Sequence, residues 1–511
     1  MVAAFVSSAC TYRLRPAAAG FGRCLSGLVA AALALALLAG CTVNPATGQS
    51  SFTGFMSPAD EKRVGAEEHP KILKQFGGAY AEGTMDDYVR RVGQRLAAVA
   101  AVEGPSFTFT VLSDDKVNAF ALPGGYVYVT RGLLALAGNE AEMAGVLAHE
   151  IGHVAARHTA QRYSQAMATN LGLTILGVVG SIAGAPPGLG DVLSFGAQAY
   201  LQSFSREQEL EADMLAVRYL RRAGYDANAM VSLFDKMQAF DRLEAAELGV
   251  PSAAERYNIM STHPRTTDRI GQAMRLAGPE AAGRQGRDEF LAQIDGLMFG
   301  DDPRQGVRRG RVFSHPGIGV QFTMPPGYVL INAPTYVAAK GPEDSLVIFD
   351  MESPRGAREA GDMVGYLLNR WGREVGLGNA ERIEVNGMQG ATAAGRIGTR
   401  KGTMDIRLVA VRDNASRIFR FRFVTPPRLT AAQREEFQRT TYSLRLLTPA
   451  EAVAIRPLRV RVLTVVAGDT ADKLAGRMPF ERLRRERFDA LNGFTGETAL
   501  TPGQRVKIIA E

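Results

Sequence analysis

Residues 147–158 read LAHEIGHVAARH and hold three of the six histidines in the chain. His149 and His153 lie four positions apart, so on a helix of 3.6 residues per turn they share a face, one turn from each other. Two imidazoles so placed can grip one zinc ion, and Glu150 is then positioned to act on a water at the metal. This is the H-E-x-x-H arrangement of zinc hydrolases. The flanking sequence predicts a helix. Asn139 can cap its start, with Glu142 three residues on in the manner of a capping box. Ala144, Leu147, Ala148, Ile151 and Ala155 then recur at helical spacing. His158 fails the same test. It lies nine positions past His149 and faces away on a continuous helix. The pattern that uses a third histidine needs it at position ten, which is Thr159 here. His158 therefore reads as a surface or packing histidine.

A catalytic zinc takes three protein ligands and keeps one position for water. The third must come from elsewhere, and residues 203–220, SFSREQELEADMLAVRYL, offer carboxylates at helical spacing. Glu209 and Asp213 are four apart and share a face. They suit two roles: a third ligand, and a carboxylate that holds a ligating imidazole by its other N–H. Periodicity does not choose among Glu207, Glu209 and Glu211.

The N-terminus reads as a targeting segment. Arg13, Arg15 and Arg23 precede an apolar run, LSGLVAAALALALLAGC, over residues 25–41. The run is short for a membrane span, which needs about 20 residues. Its end, Leu38-Ala39-Gly40-Cys41, resembles the bacterial lipobox, which implies cleavage before Cys41 and lipid on its thiol. Thr42 resembles an outer-membrane rather than an inner-membrane signal. The cysteines are Cys10, Cys24 and Cys41, so after such processing no disulfide and no thiolate metal ligand remains. A net charge of +7 is spread along the chain without a long basic block. That favours solubility and anionic surfaces, not nucleic-acid recognition.

Ser57-Pro58 marks a helix start. A second helix is expected over 85–100. Strands are expected at 107–112 and 126–130, joined through Pro123-Gly124-Gly125. The Gly-rich apolar stretch at 171–190 is expected to form a buried or membrane-touching helix. After the linker at 300–311 the pattern turns to strands, interrupted by one helix near 360–371, with a hairpin turn at Asp413-Asn414. His315 reads as structural. The tail holds Val465-Val466-Ala467-Gly468-Asp469-Thr470, then Leu491-Asn492-Gly493, then Leu500-Thr501-Pro502-Gly503 leading into Gln504–Ile508. These pieces resemble a LysM module, which implies a strand-helix-helix-strand fold and binding of N-acetylglucosamine-containing glycan. On this reading the tail retains the protein at the wall and takes no part in chemistry.

Four stretches in order carry a wider likeness: NAFALPGGYVYVTRGLL at 118–134, LAHEIGHVAARH, SREQELEAD at 205–213 and STHPRTTDRI at 261–270. Together they resemble the gluzincins of the HtpX and CAAX prenyl protease type, metallopeptidase family forty-eight, closest to its periplasmic lipid-anchored branch. The likeness runs from about residue 55 to 297. It implies one zinc per chain held by His149, His153 and Glu209, with Asp213 behind them, Glu150 as proton carrier, and His263 approaching the metal. His263 would either donate to the oxyanion or close the site as a fourth ligand. Relatives whose C-terminal part is a tetratricopeptide array differ from this chain, which shows no such period after Gly300.

The expected whole is α+β and multidomain. It comprises a signal peptide (1–40), a tether (41–56), a mainly helical zincin-type peptidase domain with a small sheet (57–300), an α+β domain (311–448) and a βααβ LysM-like module (460–511). The expected function is a zinc endopeptidase of the cell envelope, lipid-anchored on the periplasmic side at the outer membrane. It would act on misfolded or unassembled proteins, with peptidoglycan as a further partner. The alternatives are a peptidoglycan peptide hydrolase and a non-catalytic binding protein or chaperone.

Overall fold

The computed structural model describes residues 41–44, 46–100, 106–167, 204–248, 263, 267–277, 283–333, 335–399, 402–496 and 498–511. The expected signal peptide and the 171–190 helix lie outside the described residues. β1 (Cys41–Val43) and β2 (Ser50–Phe52) pair as a short hairpin. Its loop is not free. Asn44 Nδ2 donates to the Ala155 carbonyl at 2.8 Å, and Arg157 Nη2 donates to the Met56 carbonyl at 2.8 Å. The expected tether is thus packed on the peptidase region.

α1 (Pro58–Gln75) starts at Ser57, which closes a capping box with Asp60. α2 (Met85–Ala100) buries Tyr88, Val89, Val92 and Leu96 along one face, as its period requires. β3 (Thr108–Leu112), β4 (Ala119–Leu122) and β5 (Tyr126–Thr130) form a sheet in the order β3-β5-β4. β3 runs parallel and β4 antiparallel to β5. β4 pairs on one side only among the described residues, so this stretch presents a sheet edge.

α3 (Arg131–Leu136) and α4 (Glu140–Ala155) follow. The Asn139 side chain accepts from the Glu142 N–H, as expected of the cap. The Glu142 carboxylate reaches back one residue further, to the Gly138 N–H at 2.6 Å, and pairs with the buried Lys236 ammonium at 2.6 Å. α4 is buried on every side, as a helix apolar around its girth must be. It packs against α2, α5 (Arg206–Arg222) and α6 (Ala229–Leu248). α7 (Thr267–Ala277) lies on α5, and α8 (Arg287–Ile294) leads to β6 (Met298–Phe299).

The next region is built on antiparallel sheet. Its strands are β7 (Val307–Arg309), β8 (Val312–His315), β9 (Val320–Thr323), β10 (Val329–Ala333), β11 (Tyr336–Lys340), β12 (Leu346–Met351), β13 (Gly376–Leu377), β14 (Glu381–Val385), β15 (Met388–Thr399), β16 (Gly402–Asn414), β17 (Arg417–Thr425) and β18 (Arg445–Leu446). One sheet has the order β18-β9-β8-β7. The other runs β10-β11-β12-β17-β16-β15-β13, with β14 also on β15. The expected helix near 360–371 is a short α-turn, Met363–Tyr366, running into a π-helical turn, Leu367–Trp371. A longer helix, α9 (Pro427–Tyr442), packs on β16 and β17 and has no counterpart in the sequence reading. It buries only Phe437, Thr440 and Thr441, too little to give an apolar period. The His315 ring accepts from the Ile318 N–H at 3.4 Å, a local structural bond.

The tail is strand, helix, helix, strand: β19 (Leu458–Thr464), α10 (Ala471–Gly476), α11 (Arg484–Asn492) and β20 (Arg505–Ala510). β19 pairs with β20 and, on its other edge, with β6. Leu474, Phe488, Leu491 and Ile509 share one apolar core with Leu134 and Phe290. The buried Lys507 ammonium donates to the carbonyls of Ala135, Leu136 and Ala137 at 2.7, 2.9 and 2.7 Å. The tail therefore completes the peptidase core instead of hanging from it.

Candidate metal centre

α4 supplies His149, Glu150 and His153, and α5 supplies Glu209 and Asp213. Gly152 lets the two helices meet: a Cβ there would lie 3.0 Å from the Ala212 carbonyl oxygen. Ser205 starts α5 in a capping box with Gln208, which sets Glu209 in the first turn, facing α4. His149 Nε2 and His153 Nε2 are 2.9 Å apart. A Glu209 oxygen lies 3.6 Å from the first and another 3.4 Å from the second. His263 completes the group: its Nδ1 is 2.7 Å from Glu209 Oε1 and 3.4 Å from His149 Nε2. All four side chains are buried, with ligand atoms within 4.8 Å of one another.

The 3.4–3.6 Å separations fit one tetrahedral cation, while the 2.9 Å between the two imidazoles and the 2.7 Å between His263 and Glu209 are shorter, so those pairs would open to admit it. Nitrogen and oxygen atoms held about 2.0–2.2 Å from zinc lie about 3.3–3.6 Å from each other. The proton pattern fits as well. His149 Nδ1 lies 2.9 Å from Asp213 Oδ1, a close charge contact that favours the proton on Nδ1 and the Nε2 lone pair toward the group. His153 Nδ1 lies 2.8 Å from His158 Nδ1. Burial holds the His153 imidazole well below its ordinary pKa, hence neutral. At Glu209 burial opposes ionisation. The opposing pull, led by the facing His263, outweighs it and holds the carboxyl well below the usual carboxylate range. Arg269 on α7 binds both acids, with Nη1 3.0 Å from Glu209 Oε2 and Nε 2.6 Å from Asp213 Oδ2.

Glu150 is buried beside the group, with Oε1 3.7 Å from His263 Nε2. Glu207 lies on the exposed side of α5, outside the cluster. His158 is corrected. It is neither on the surface nor idle packing, but fully buried between His153 and Glu211. Phe204 stacks on the His153 ring with centroids 4.0 Å apart. Arg269 and Phe204 escaped the sequence reading of roles, although both stand inside its quoted stretches. Cys41 lies at the start of the hairpin.

A constellation of this kind, on α4, α5 and the chain at His263, coincides with a family match over residues 84–277, peptidase family M48. Residues 84–277 are similar to that family's members. The chain is 33% identical over 234 residues to the beta-barrel assembly-enhancing protease of Escherichia coli O157:H7, covering 45% of this chain and 46% of that one. It is 33% identical over 214 residues to the protein of the same name in Yersinia pestis, covering 38% and 44%. It is 31% identical over 214 residues to the mitochondrial metalloendopeptidase OMA1 of Schizosaccharomyces pombe, covering 41% and 59%. The chain thus spans about half the length of these curated relatives. Among solved structures, cyanobacterial PsbP from Synechocystis sp. PCC 6803 aligns over 28% of this chain at 14% identity and a TM-score of 0.21. The matched segment contains the whole His149, His153, Glu209 and His263 group, which could hold one metal ion.

Proposed function

We propose that the chain is a zinc-dependent endopeptidase of the bacterial cell envelope that hydrolyses misfolded or unassembled envelope polypeptides. The observation that carries this reading is the buried His149, His153 and Glu209 group with Glu150 beside it, in a segment akin to named proteases. His149, His153 and Glu209 would hold zinc, which when bound lowers the pKa of a water toward neutrality and polarises a peptide carbonyl. Asp213 orients His149 through Nδ1. Glu150 accepts the proton of the attacking water and delivers it to the leaving amine. An extended substrate adds to the edge of β4 that is unpaired among the described residues, where main-chain hydrogen bonds bind it with little regard to sequence. That mode suits an enzyme that meets many unfolded chains.

His263 sits where it can act as a latch. Its Nδ1 lies among the proposed ligand atoms, so it competes for the position a water must take. His263→Ala is then expected to raise basal casein cleavage with zinc retained. A fall in rate with zinc retained would assign it instead to the oxyanion.

The lipobox-like end at Cys41 supports a lipid anchor, and the tail's resemblance supports retention at peptidoglycan. Both support a location on the periplasmic side, and Thr42 supports the outer membrane. The test sets casein against purified peptidoglycan, with chelator and with zinc restored. Zinc-dependent release of peptides from casein supports the endopeptidase. Cleavage of peptidoglycan stem peptides alone would favour a wall hydrolase, and no cleavage of either would favour a binding protein.

A further inference from the structure

α4 stops at Ala155, and Arg157 takes a left-handed backbone with φ 55°. Helix resumes over 158–167. The break turns His158 back behind His153, where a continuous helix would have aimed it away. The two rings stand 5.0 Å apart at 70°. One proton must lie between their Nδ1 atoms, 2.8 Å apart. Which ring owns it is decided at the far side of His158. There Nε2 lies 3.0 Å from Glu211 Oε2, and a carboxylate only accepts. A neutral His158 then carries its proton on Nε2 and leaves Nδ1 bare. The shared proton belongs to His153 Nδ1, which leaves His153 Nε2 bare toward His149 and Glu209. Glu211 is itself held by a hydrogen bond from the Thr47 side chain, in the hairpin loop.

We propose that His158, fixed by Glu211, is a positioning residue that sets the ligating tautomer and ring orientation of His153. The inference rests on the zinc reading of the site. His149 faces Asp213 directly, while His153 is reached through an imidazole from Glu211, two residues before Asp213 on the same helix. Partners of this kind commonly change metal affinity by about 10–100-fold when removed.

The test measures zinc affinity on the full chain by competition with a chromophoric chelator. The visible spectrum of the cobalt-substituted protein reads the coordination itself. His158→Ala should weaken zinc binding by about 10–100-fold and alter the cobalt bands. Glu211→Ala should do so by a smaller factor. Glu207→Ala, on the same helix but exposed, and Ser164→Ala, a buried hydroxyl that accepts from the Phe55 N–H, should both stay within about twofold. A folded His158→Ala protein that matches its parent in affinity and spectrum overturns the proposal. If His158→Ala does not fold, Glu211→Ala decides alone, and parental affinity there overturns it. A parent that holds no zinc overturns the zinc reading and this inference together.

Discussion

His149 and His153 are equivalent in the motif but not in what holds them. Asp213 faces one, and the His158–Glu211 pair faces the other. Glu209→Gln should sharply reduce zinc retention, because a carboxamide is a poor third ligand and leaves Arg269 facing Asp213 alone. Glu207→Gln should leave retention unchanged, and metal analysis of both proteins checks this. A pH effect follows from His153. Its folded pKa lies below the ordinary 6.5, so the fold favours the neutral ring while the unfolded chain takes a proton near that value. The stability it contributes is present above that pH and is lost as pH falls below it. The melting temperature of metal-free protein should therefore drop between about pH 7 and pH 5. Helical spacing made the pairs His149 with His153 and Glu209 with Asp213 legible, but choosing Glu209 over Glu207 and Glu211 and joining the two pairs took the family resemblance. His158 was not legible, because its position depends on a left-handed residue that no spacing rule contains.

α4 and α5 act as a pair whose spacing sets the site. Gly152→Ala would push a methyl against the Ala212 carbonyl, so the helices must part or the site must distort. The expected cost is about 1–3 kcal/mol of stability. Zinc affinity should fall with it, read by thermal melting and chelator competition. The strands β3 and β5 and the helices α1, α2 and α4 lie close to where pattern and capping residues put them. α9 escaped because its buried face is one aromatic and two threonines, and burial that small leaves no period in the sequence. The two-helix tail was legible from its turn residues. Its docking was not, since the β6–β19 pairing joins strands far apart in the chain.

The whole molecule is held together by that docking. Lys507 satisfies three carbonyls at the end of α3, next to the start of α4, and the tail's apolar face is continuous with the peptidase core. Lys507→Met should strand those carbonyls and lower the melting temperature by about 5–10 °C. A protease site engineered into the exposed 449–454 helix should yield a nicked protein whose tail stays bound through gel filtration. Removal of the tail, which the sequence alone made look harmless to chemistry, is expected to destabilise the metal centre. The central claim is that one buried zinc and Glu150 perform peptide hydrolysis. Its most direct measurement is casein cleavage by the purified chain and by Glu150→Gln, with zinc content determined on the same samples. The account predicts one zinc per chain in both and cleavage only in the parent. Cleavage that survives in a zinc-loaded Glu150→Gln protein, or its absence from a zinc-loaded His263→Ala protein and parent alike, would contradict it.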